Sequence, residues 1–169
     1  LDMTSCTLTG NTTPDRKPGG GLNIEKGEVT MTNCTLTGNT AGSSGGGIYT
    51  TYIDSTPSTV TIKGCTIQDN RAENNGGGIY IGGGCTVTLE NNDQNEGCTV
   101  QGNTARYNGG GVFVETPTAT FTMKGGAVIT PSSEVNTPSQ KFNDVFLHGE
   151  SLDSAKITVD SSLSPAGGI

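Results

Sequence analysis

The sequence VTIKGCTIQDN at residues 60–70, followed by GGGIYI at residues 76–81, sets a pattern that the rest of the chain repeats. Internal repeats are sought first, because a repeat architecture constrains the whole fold. The related copies are LDMTSCTLTGN at 1–11 with GGGL at 19–22, VTMTNCTLTGN at 29–39 with GGGIY at 45–49, and GCTVQGN at 97–103 with GGGVF at 109–113. A degenerate fifth copy begins at Phe121 and has DVFL at 144–147 in place of the GGGI segment, and a sixth begins near Ile157.

Each copy contains three short segments in which apolar and polar residues alternate. Alternation with a period of two predicts β-strands, because successive side chains of a strand point to opposite faces. The residue before the repeated cysteine is Ser5, Asn33, Gly64 or Gly97, and Gly125 takes this place in the fifth copy. Gly and Asn tolerate a left-handed backbone, so the sequence predicts a corner at this position.

The spacing of the repeat and its strand content together predict the fold class. The repeated cysteines at positions 6, 34, 65 and 98 are 28, 31 and 33 residues apart, and no helical periodicity is visible between them. Three short strands with corners, and loops of variable length at fixed places, are typical of one coil of a parallel β-helix. The preferred chirality of crossover connections favours the right hand. We therefore predict an all-β, pectin-lyase-like right-handed parallel β-helix of about five coils, each with three short strands.

Composition limits the size of the core and the classes of partner. Residues 1–169 are predicted to form a single domain, with regular coils over 1–128 and degenerate coils over 129–169, and we expect it to be a fragment of a longer protein. Only 30% of the residues are hydrophobic, which fits a narrow core. The net charge of −7 and the dispersed basic residues make nucleic acid an unexpected partner. We also expect no transmembrane segment in this chain, because no apolar run reaches about 18 residues.

Equivalent residues of neighbouring coils lie about 4.8 Å apart in such a fold, so they form columns. The predicted inward columns are Leu1, Val29, Val60, Val87 and Phe121; Met3, Met31, Ile62, Leu89 and Met123; Cys6, Cys34, Cys65 and Cys98, ending at Gly126; Leu8, Leu36, Ile67, Val100 and Val128; and Leu22, Ile48, Ile79, Val112 and Val145.

A polar column is predicted at Asn11, Asn39, Asn70 and Asn103. A carboxamide donates a hydrogen bond on one side and accepts one on the other, so a stack of Asn side chains satisfies itself. Stacked carboxylates would repel one another, and buried polar groups need partners. Outward hydroxyls at Thr7, Thr35, Thr66 and Thr99 follow the same logic.

The five cysteines are interpreted as buried, reduced core residues. The spacing of Cys6, Cys34, Cys65 and Cys98 does not match a Cys-x-x-Cys zinc site, so we expect no metal and no cofactor. Disulfides remain an alternative, because Cα atoms about 4.8 Å apart lie within the range that a disulfide tolerates. Cys85 is also expected to point inward, towards Cys98 or Cys65.

A column of aromatic side chains is the candidate binding site. The position after the aliphatic residue of the third wall is Asn23 in the first copy and then Tyr49, Tyr80, Phe113 and Phe146. Aromatic rings on an outer face can stack against sugar rings, although they can also stack only on one another and shield the sheet. Tyr80 and the loop at 71–75 are the parts of the central copy that stacking leaves free for function.

The repeats resemble bacterial cell-surface right-handed β-helices, including the polymorphic outer-membrane protein family of chlamydiae. Repeats of that family carry a Gly-Gly-Ala-Ile motif and a Phe-x-x-Asn motif. The first is similar to GGI at 46–48 and 77–79 and to GGV at 110–112, and the second to LTGN at 8–11 and 36–39, IQDN at 67–70 and VQGN at 100–103. Here an aliphatic residue replaces the Phe, and a cysteine lies two residues before it. The resemblance implies a secreted or outer-membrane-associated protein, often an adhesin, with glycans or proteins of a cell surface as partners.

The expected function is therefore that of a non-enzymatic adhesin-like module or structural stalk, with no catalytic residues. Two alternatives remain. One is a polysaccharide lyase or hydrolase, since enzymes share this fold and His148 precedes a Gly as in the hydrolases, although no Asn-x-Asp or Asp-Asp element accompanies it. The other is an ice-binding solenoid, because such proteins use flat arrays of Thr. The ends of the repeat pattern also predict end-to-end self-association through open strand edges.

Overall fold

Parallel strand pairs connect each coil of the chain to the next. The structure, a computed structural model, describes residues 1–115, 118–130, 144–148 and 156–159. In this part of the chain the strands form four parallel sheets with one antiparallel hairpin, which confirms the predicted all-β solenoid. None of the described segments forms a helix of the length and apolarity that crossing a membrane requires.

Each sheet takes one strand from each successive coil that contributes to it. Sheet 1 contains Asp2–Thr4, Gly27–Thr32, Thr56–Lys63, Thr86–Glu90, Thr120–Met123 and Lys156–Val159. Sheet 2 contains Thr7–Thr9, Thr35–Thr37, Thr66–Gln68, Thr99–Gln101 and Val128–Ile129. Sheet 3 contains Thr40–Ala41, Arg71–Ala72 and Thr104–Ala105, and sheet 4 contains Leu22–Ile24, Ile48–Thr50, Ile79–Ile81, Val112–Glu115 and Val145–His148. The five strands in each of sheets 2 and 4 agree with the predicted five coils.

Sheet 3 is an addition to the predicted three strands per coil. Its strands have only two residues and follow the Asn of each coil directly, so they are too short to show an alternating pattern. Arg71 pairs with Thr40 on one side and with Thr104 on the other. The expectation that residues 71–75 form a free loop was therefore wrong for Arg71 and Ala72, which belong to sheet 3.

The cross-strand register confirms most of the predicted apolar columns. In sheet 1, for example, Met31 pairs with Ile62, which pairs with Leu89. These three side chains have no exposed surface. Full burial of one such side chain stabilises the fold by about 1.5–3 kcal/mol. The inward columns therefore serve as the hydrophobic core of a thin solenoid.

The fifth coil departs from the predicted columns by one residue. Val100 pairs with Ile129, whereas Val128 pairs with Thr99 and is 51% exposed. In the same register Cys98 lies opposite the buried Ala127 rather than Gly126. The predicted column members Gly126 and Val128 were therefore wrong, because a turn with a left-handed Gly125 (φ 61°) adds one residue to this corner.

The left-handed corner before the repeated cysteine is confirmed in three coils. Ser5, Asn33 and Gly64 have φ angles of 53°, 54° and 55°. The prediction was wrong for Gly97, whose φ is not in the left-handed region. In this coil the left-handed residue is Asn95, which lies two residues before Gly97 and has a φ of 64°.

The Gly-Gly-Gly segment needs each of its glycines for a different reason, as the second coil shows. Gly45 has a left-handed φ of 72°. A Cβ on Gly46 would collide with the carbonyl oxygen of Gly77 in the next coil. A Cβ on Gly47 would lie 3.2 Å from the Asn70 side-chain nitrogen. The motif therefore brings sheet 4 close to the Asn ladder.

Candidate functional site

The Asn column has the predicted ladder geometry. The side-chain Nδ2 of Asn11 donates to Asn39 Oδ1, Asn39 donates to Asn70, and Asn70 donates to Asn103, each over 2.9 Å. The backbone N–H groups of Asn11, Asn39 and Asn70 donate to the same oxygens. Asn39, Asn70 and Asn103 are fully buried. These carboxamides hold successive coils together, and their buried hydrogen-bonding capacity serves the fold.

The cysteine column also links coils through hydrogen bonds. The backbone N–H of Cys34 donates to the Cys65 sulfur over 3.2 Å, and that of Cys65 donates to the Cys98 sulfur over 3.4 Å. All five cysteines are free thiols in the structure, including the buried Cys85. Burial is the main cause that raises the pKa of Cys65, to about 12, and it also raises the pKa of Cys98. These thiols are therefore poor nucleophiles at neutral pH.

The four predicted aromatic residues form one continuous stack on sheet 4. The ring centroids of Tyr49 and Tyr80 are 4.8 Å apart, those of Tyr80 and Phe113 are 5.1 Å apart, and those of Phe113 and Phe146 are 5.6 Å apart. Tyr80 is 9% exposed and Phe113 is 3% exposed, while Tyr49 is half-buried. The rings cover one another's faces, so Tyr49 and Phe146, the two half-buried ends of the stack, offer the ring surface that a ligand can reach.

Tyr80 lies in a polar cluster that the sequence did not indicate. The pKa of Tyr80 is raised strongly, mainly by burial and then by the negative charge of the nearby Glu115 carboxylate. The backbone N–H of Gly83 donates a hydrogen bond to Glu115 Oε2 over 3.1 Å. His148 pairs with Glu115 on the neighbouring strand, and its ring stacks on Phe113 at 5.8 Å. The expectation that Tyr80 is free was therefore wrong.

Beside this cluster lies an open groove of about 480 Å³. One side is an antiparallel hairpin in which Tyr52 pairs with Pro57, and its turn contains the left-handed Asp54 and Ser55 (φ 53° and 60°). The Tyr52 side chain is 55% exposed. The other side is formed by residues of the next two coils, namely Gly83, Gly84, Glu115 and Thr118. We call this feature the hairpin groove. The only sequence signal for it is the extra length between the second and third copies.

The described residues contain few groups that are arranged for metal binding or acid–base catalysis. No group of three or more His, Cys, Asp or Glu side chains in this part of the chain is arranged to hold a metal ion. Glu115 is the acidic residue that lies opposite His148 across sheet 4. A second carboxylate beside this pair is not found among the described residues.

The outer face of sheet 1 carries a second Thr array that the sequence analysis missed. Thr59, Thr86 and Thr120 pair in one row, and Thr30, Thr61, Thr88 and Thr122 pair in the next. The predicted row on sheet 2, Thr7, Thr35, Thr66 and Thr99, is also in register. On sheet 1 the Thr rows are followed by a row of charged residues. In this row the Lys63 ammonium lies 3.2 Å from the Glu90 carboxylate, and the Lys124 ammonium lies 3.7 Å from the same carboxylate. The alternating signs avoid the repulsion of stacked like charges.

Comparison with known proteins agrees with this geometry. A family model described as a right handed beta helix region matches residues 1–137. No curated protein and no solved structure matches the chain. The match covers most of the chain and includes the four regular coils with their columns. The chain belongs to the right-handed β-helix family.

Proposed function

We propose that this chain is a non-enzymatic module of a secreted or bacterial cell-surface protein, acting as an adhesin-like contact surface or a structural stalk. One observation carries the proposal: interior polar groups bond from coil to coil without a break, as in the ladder from Asn11 to Asn103. Such ladders stiffen a solenoid, and solenoids use their extended side walls as binding surfaces. The outer walls here present repeated columns of Thr and aromatic side chains.

The proposed location is the extracellular face of a bacterial outer membrane. The support is the similarity of the Gly-Gly-Ile and Leu-x-x-Asn motifs to repeats of bacterial surface proteins, including those of the chlamydial polymorphic family. The proposed partners are glycans or proteins of a host or cell surface, rather than nucleic acid, because the chain has a net charge of −7. The aromatic column would contact a glycan through Tyr49, one of its two half-buried ends.

A binding experiment tests the proposal. Purified chain is applied to a glycan array and to intact cells, together with the variants Tyr49→Ser and Thr66→Ser, of which the second changes a different sheet. We expect binding that Tyr49→Ser weakens and Thr66→Ser does not. Cleavage of a polysaccharide by the chain, or its detection only inside the cells that produce it, would refute the proposal.

The pairing of His148 with Glu115 favours a second candidate, a polysaccharide-cleaving enzyme. The two residues are cross-strand neighbours, and the Glu115 carboxylate is near enough to Tyr80 for its charge to raise the pKa of that hydroxyl. Release of reducing ends or unsaturated products from a polysaccharide would support this candidate if both His148→Ala and Glu115→Gln abolished it. Activity that survives either substitution would reject these residues as its source.

The Thr rows on sheet 1 favour a third candidate, an ice-binding surface. Their hydroxyls lie in register at the strand spacing of about 4.8 Å along each row, which is the kind of periodic surface that orders water. Thermal hysteresis that disappears in Thr88→Tyr but persists in Thr66→Tyr would support it. Absence of hysteresis in the unmodified chain would exclude it.

A further inference from the structure

We propose that the hairpin groove binds an uncharged sugar ring of a glycan, with Tyr52 and Glu115 as its two principal contacts. This inference rests on the proposed adhesin-like function and assigns that function a site separate from the aromatic column. Three features of the groove lead to it: an exposed aromatic ring, a hydrogen-bonded carboxylate and two lining glycines.

Tyr52 supplies an aromatic face that a ligand can reach. Its side chain is 55% exposed, in contrast to the rings inside the aromatic column. The hairpin that carries it is held by the pairing of Tyr52 with Pro57 and of Ile53 with Thr56. A sugar ring has an apolar face of C–H groups, which packs well against an aromatic ring that is already in place.

Glu115 supplies hydrogen-bond acceptors at a fixed position. Its carboxylate accepts a hydrogen bond from the Gly83 N–H at 3.1 Å. An ionised carboxylate has about four acceptor positions, so others remain for donors from a ligand. The hydroxyls of Ser55 and Thr118 also line the groove, and each can donate or accept. A ligand with several hydroxyl groups fits this set of partners.

Two of the residues that line the groove, Gly83 and Gly84, have no side chain to fill it. A Cβ on Gly83 would have only the Thr118 hydroxyl within 4 Å, at 3.6 Å, and one on Gly84 would meet the Pro57 Cβ at 3.7 Å. The space of about 480 Å³ lies within the range of small-ligand sites. A methyl group at position 83 therefore enters the groove without straining the backbone, which makes Gly83→Ala a direct test of occupancy.

Charge selects among sugars. Glu115 is negative, Asp54 lies in the hairpin turn beside the groove, and the chain carries a net charge of −7. A uronate or sulfated sugar would meet like charge at close range, and such repulsion lowers affinity and slows association. The proposed ligand is therefore a neutral sugar unit rather than an acidic one.

The experiment compares five proteins, namely the unmodified chain and the variants Tyr52→Ala, Gly83→Ala, Tyr107→Ala and Tyr49→Ser. Each is tested on an array of neutral and acidic glycans and on intact cells, with titration of the best neutral ligand. The unmodified chain is expected to bind neutral glycans. Tyr52→Ala and Gly83→Ala are expected to weaken that binding about tenfold or more. Tyr107→Ala is the matched control, because Tyr107 is also an exposed tyrosine (46%) but lies outside the groove, and it should bind within about twofold of the unmodified chain. Circular dichroism melting of each variant verifies that it is folded.

The outcomes separate the groove from the broader function. Binding that survives Tyr52→Ala and Gly83→Ala but is lost in Tyr49→Ser would overturn the groove proposal and support the aromatic column. Adhesion to cells without any glycan binding would overturn the groove proposal and leave the adhesin-like function standing. Binding only to acidic glycans, or equal weakening by Tyr107→Ala, would also overturn the groove proposal. Absence of both glycan binding and cell binding would count against both proposals.

Discussion

An amide side chain is used at four successive coils where a carboxylate would fail. The side-chain oxygens of Asn39, Asn70 and Asn103 each accept two hydrogen bonds. Asn70 gives its own N–H groups to Asn103 and to the Leu36 carbonyl. An aspartate has acceptors only, and its charge would be buried. The residue type at this position is therefore decided by hydrogen-bond chemistry more than by size.

Replacing the buried amide by a carboxylate tests this argument. Asn70→Asp is expected to lower the free energy of unfolding at neutral pH by about 3–5 kcal/mol, because donors are lost and a charge is buried. Burial would raise the pKa of this carboxyl above about 3.9, so the loss should shrink as the pH falls towards 4. Denaturant unfolding at several pH values measures both effects.

Asn11→Asp is the matched control for this substitution. Asn11 is exposed in the first coil, so the same change should cost about 1 kcal/mol or less. Equal losses at positions 11 and 70, or a loss at position 70 that does not depend on pH, would contradict the ladder argument.

The thiols give a second prediction at this scale. The pKa of Cys65 is raised from 9.0 to about 12, mainly by burial, so the folded state holds its proton more tightly than the unfolded state. The contribution of this thiol to the free energy of unfolding should therefore be fully present below pH 9 and decrease as the pH rises from about 9 to about 12.

Alkylation followed by mass spectrometry measures the accessibility of these thiols. We expect the half-buried Cys6 to be modified first in the folded protein and all five cysteines in denaturant. Fewer than five reactive thiols in denaturant would show a disulfide and contradict the reduced column. Rapid modification of Cys65 in the folded protein would contradict its burial.

At the scale of the strand, the fifth coil shows how one additional residue in a corner changes which side chains of the next strand point inward. The turn at Gly125 adds a residue between Met123 and the next wall, so Ile129 and not Val128 continues the column of Val100. Because side chains alternate along a strand, a shift of one residue exchanges the inward and outward faces. The inward residue of this strand is therefore decided by the corner before it.

A pair of neighbouring substitutions tests the register of this strand. Ile129→Ala is expected to lower the free energy of unfolding by about 1–2 kcal/mol, because Ile129 packs against the core. Val128→Ala should change it by no more than about 0.5 kcal/mol, because this side chain is 51% exposed. Thermal or denaturant unfolding compares the two variants, and a larger loss for Val128→Ala would restore the register expected from the repeat.

At the scale of the molecule, the solenoid has an uncovered first coil among the described residues. Its strands Asp2–Thr4, Thr7–Thr9 and Leu22–Ile24 each have a neighbour on one side in this part of the chain. Met3 and Leu8, which continue fully buried columns, are only partly buried there. Open parallel edges with apolar side chains favour pairing with another copy. End-to-end self-association is therefore our prediction for a chain of these 169 residues by itself.

Sedimentation over a range of concentrations tests the self-association of the chain. The average mass should rise with concentration, and Leu8→Lys should suppress the rise by placing a charge on the open coil. Thr7→Lys is the control, because Thr7 lies on the same strand but points outward. A chain that stays monomeric at high concentration would contradict the prediction.

The repeat made the regular part of this structure predictable. Columns such as Met31, Ile62 and Leu89 follow from alternation and from equal spacing, which are properties of neighbouring residues. The corner at Asn33 follows from the backbone preference of its residue type. Both kinds of information are local, so no tertiary structure was needed to read them.

The non-repeating parts were not predictable for a physical reason. The Glu115 carboxylate meets Tyr80 and Gly83, which are more than 30 residues away and belong to another coil. The hairpin groove likewise depends on how an insertion after the second coil lies against the third and fourth. Contacts of this kind do not repeat from coil to coil, so they leave no periodic pattern in the sequence.

The sequence by itself determined the solenoid, its parallel columns and the chemistry of the Asn ladder, because identical coils impose the same local requirement at every turn. Only the tertiary structure decided that Tyr80 is buried against Glu115, that Ile129 replaces Val128 in the core, and that the accessible aromatic ring beside a carboxylate is Tyr52. These features depend on the distances between different coils, which are set by how the insertions and turns pack.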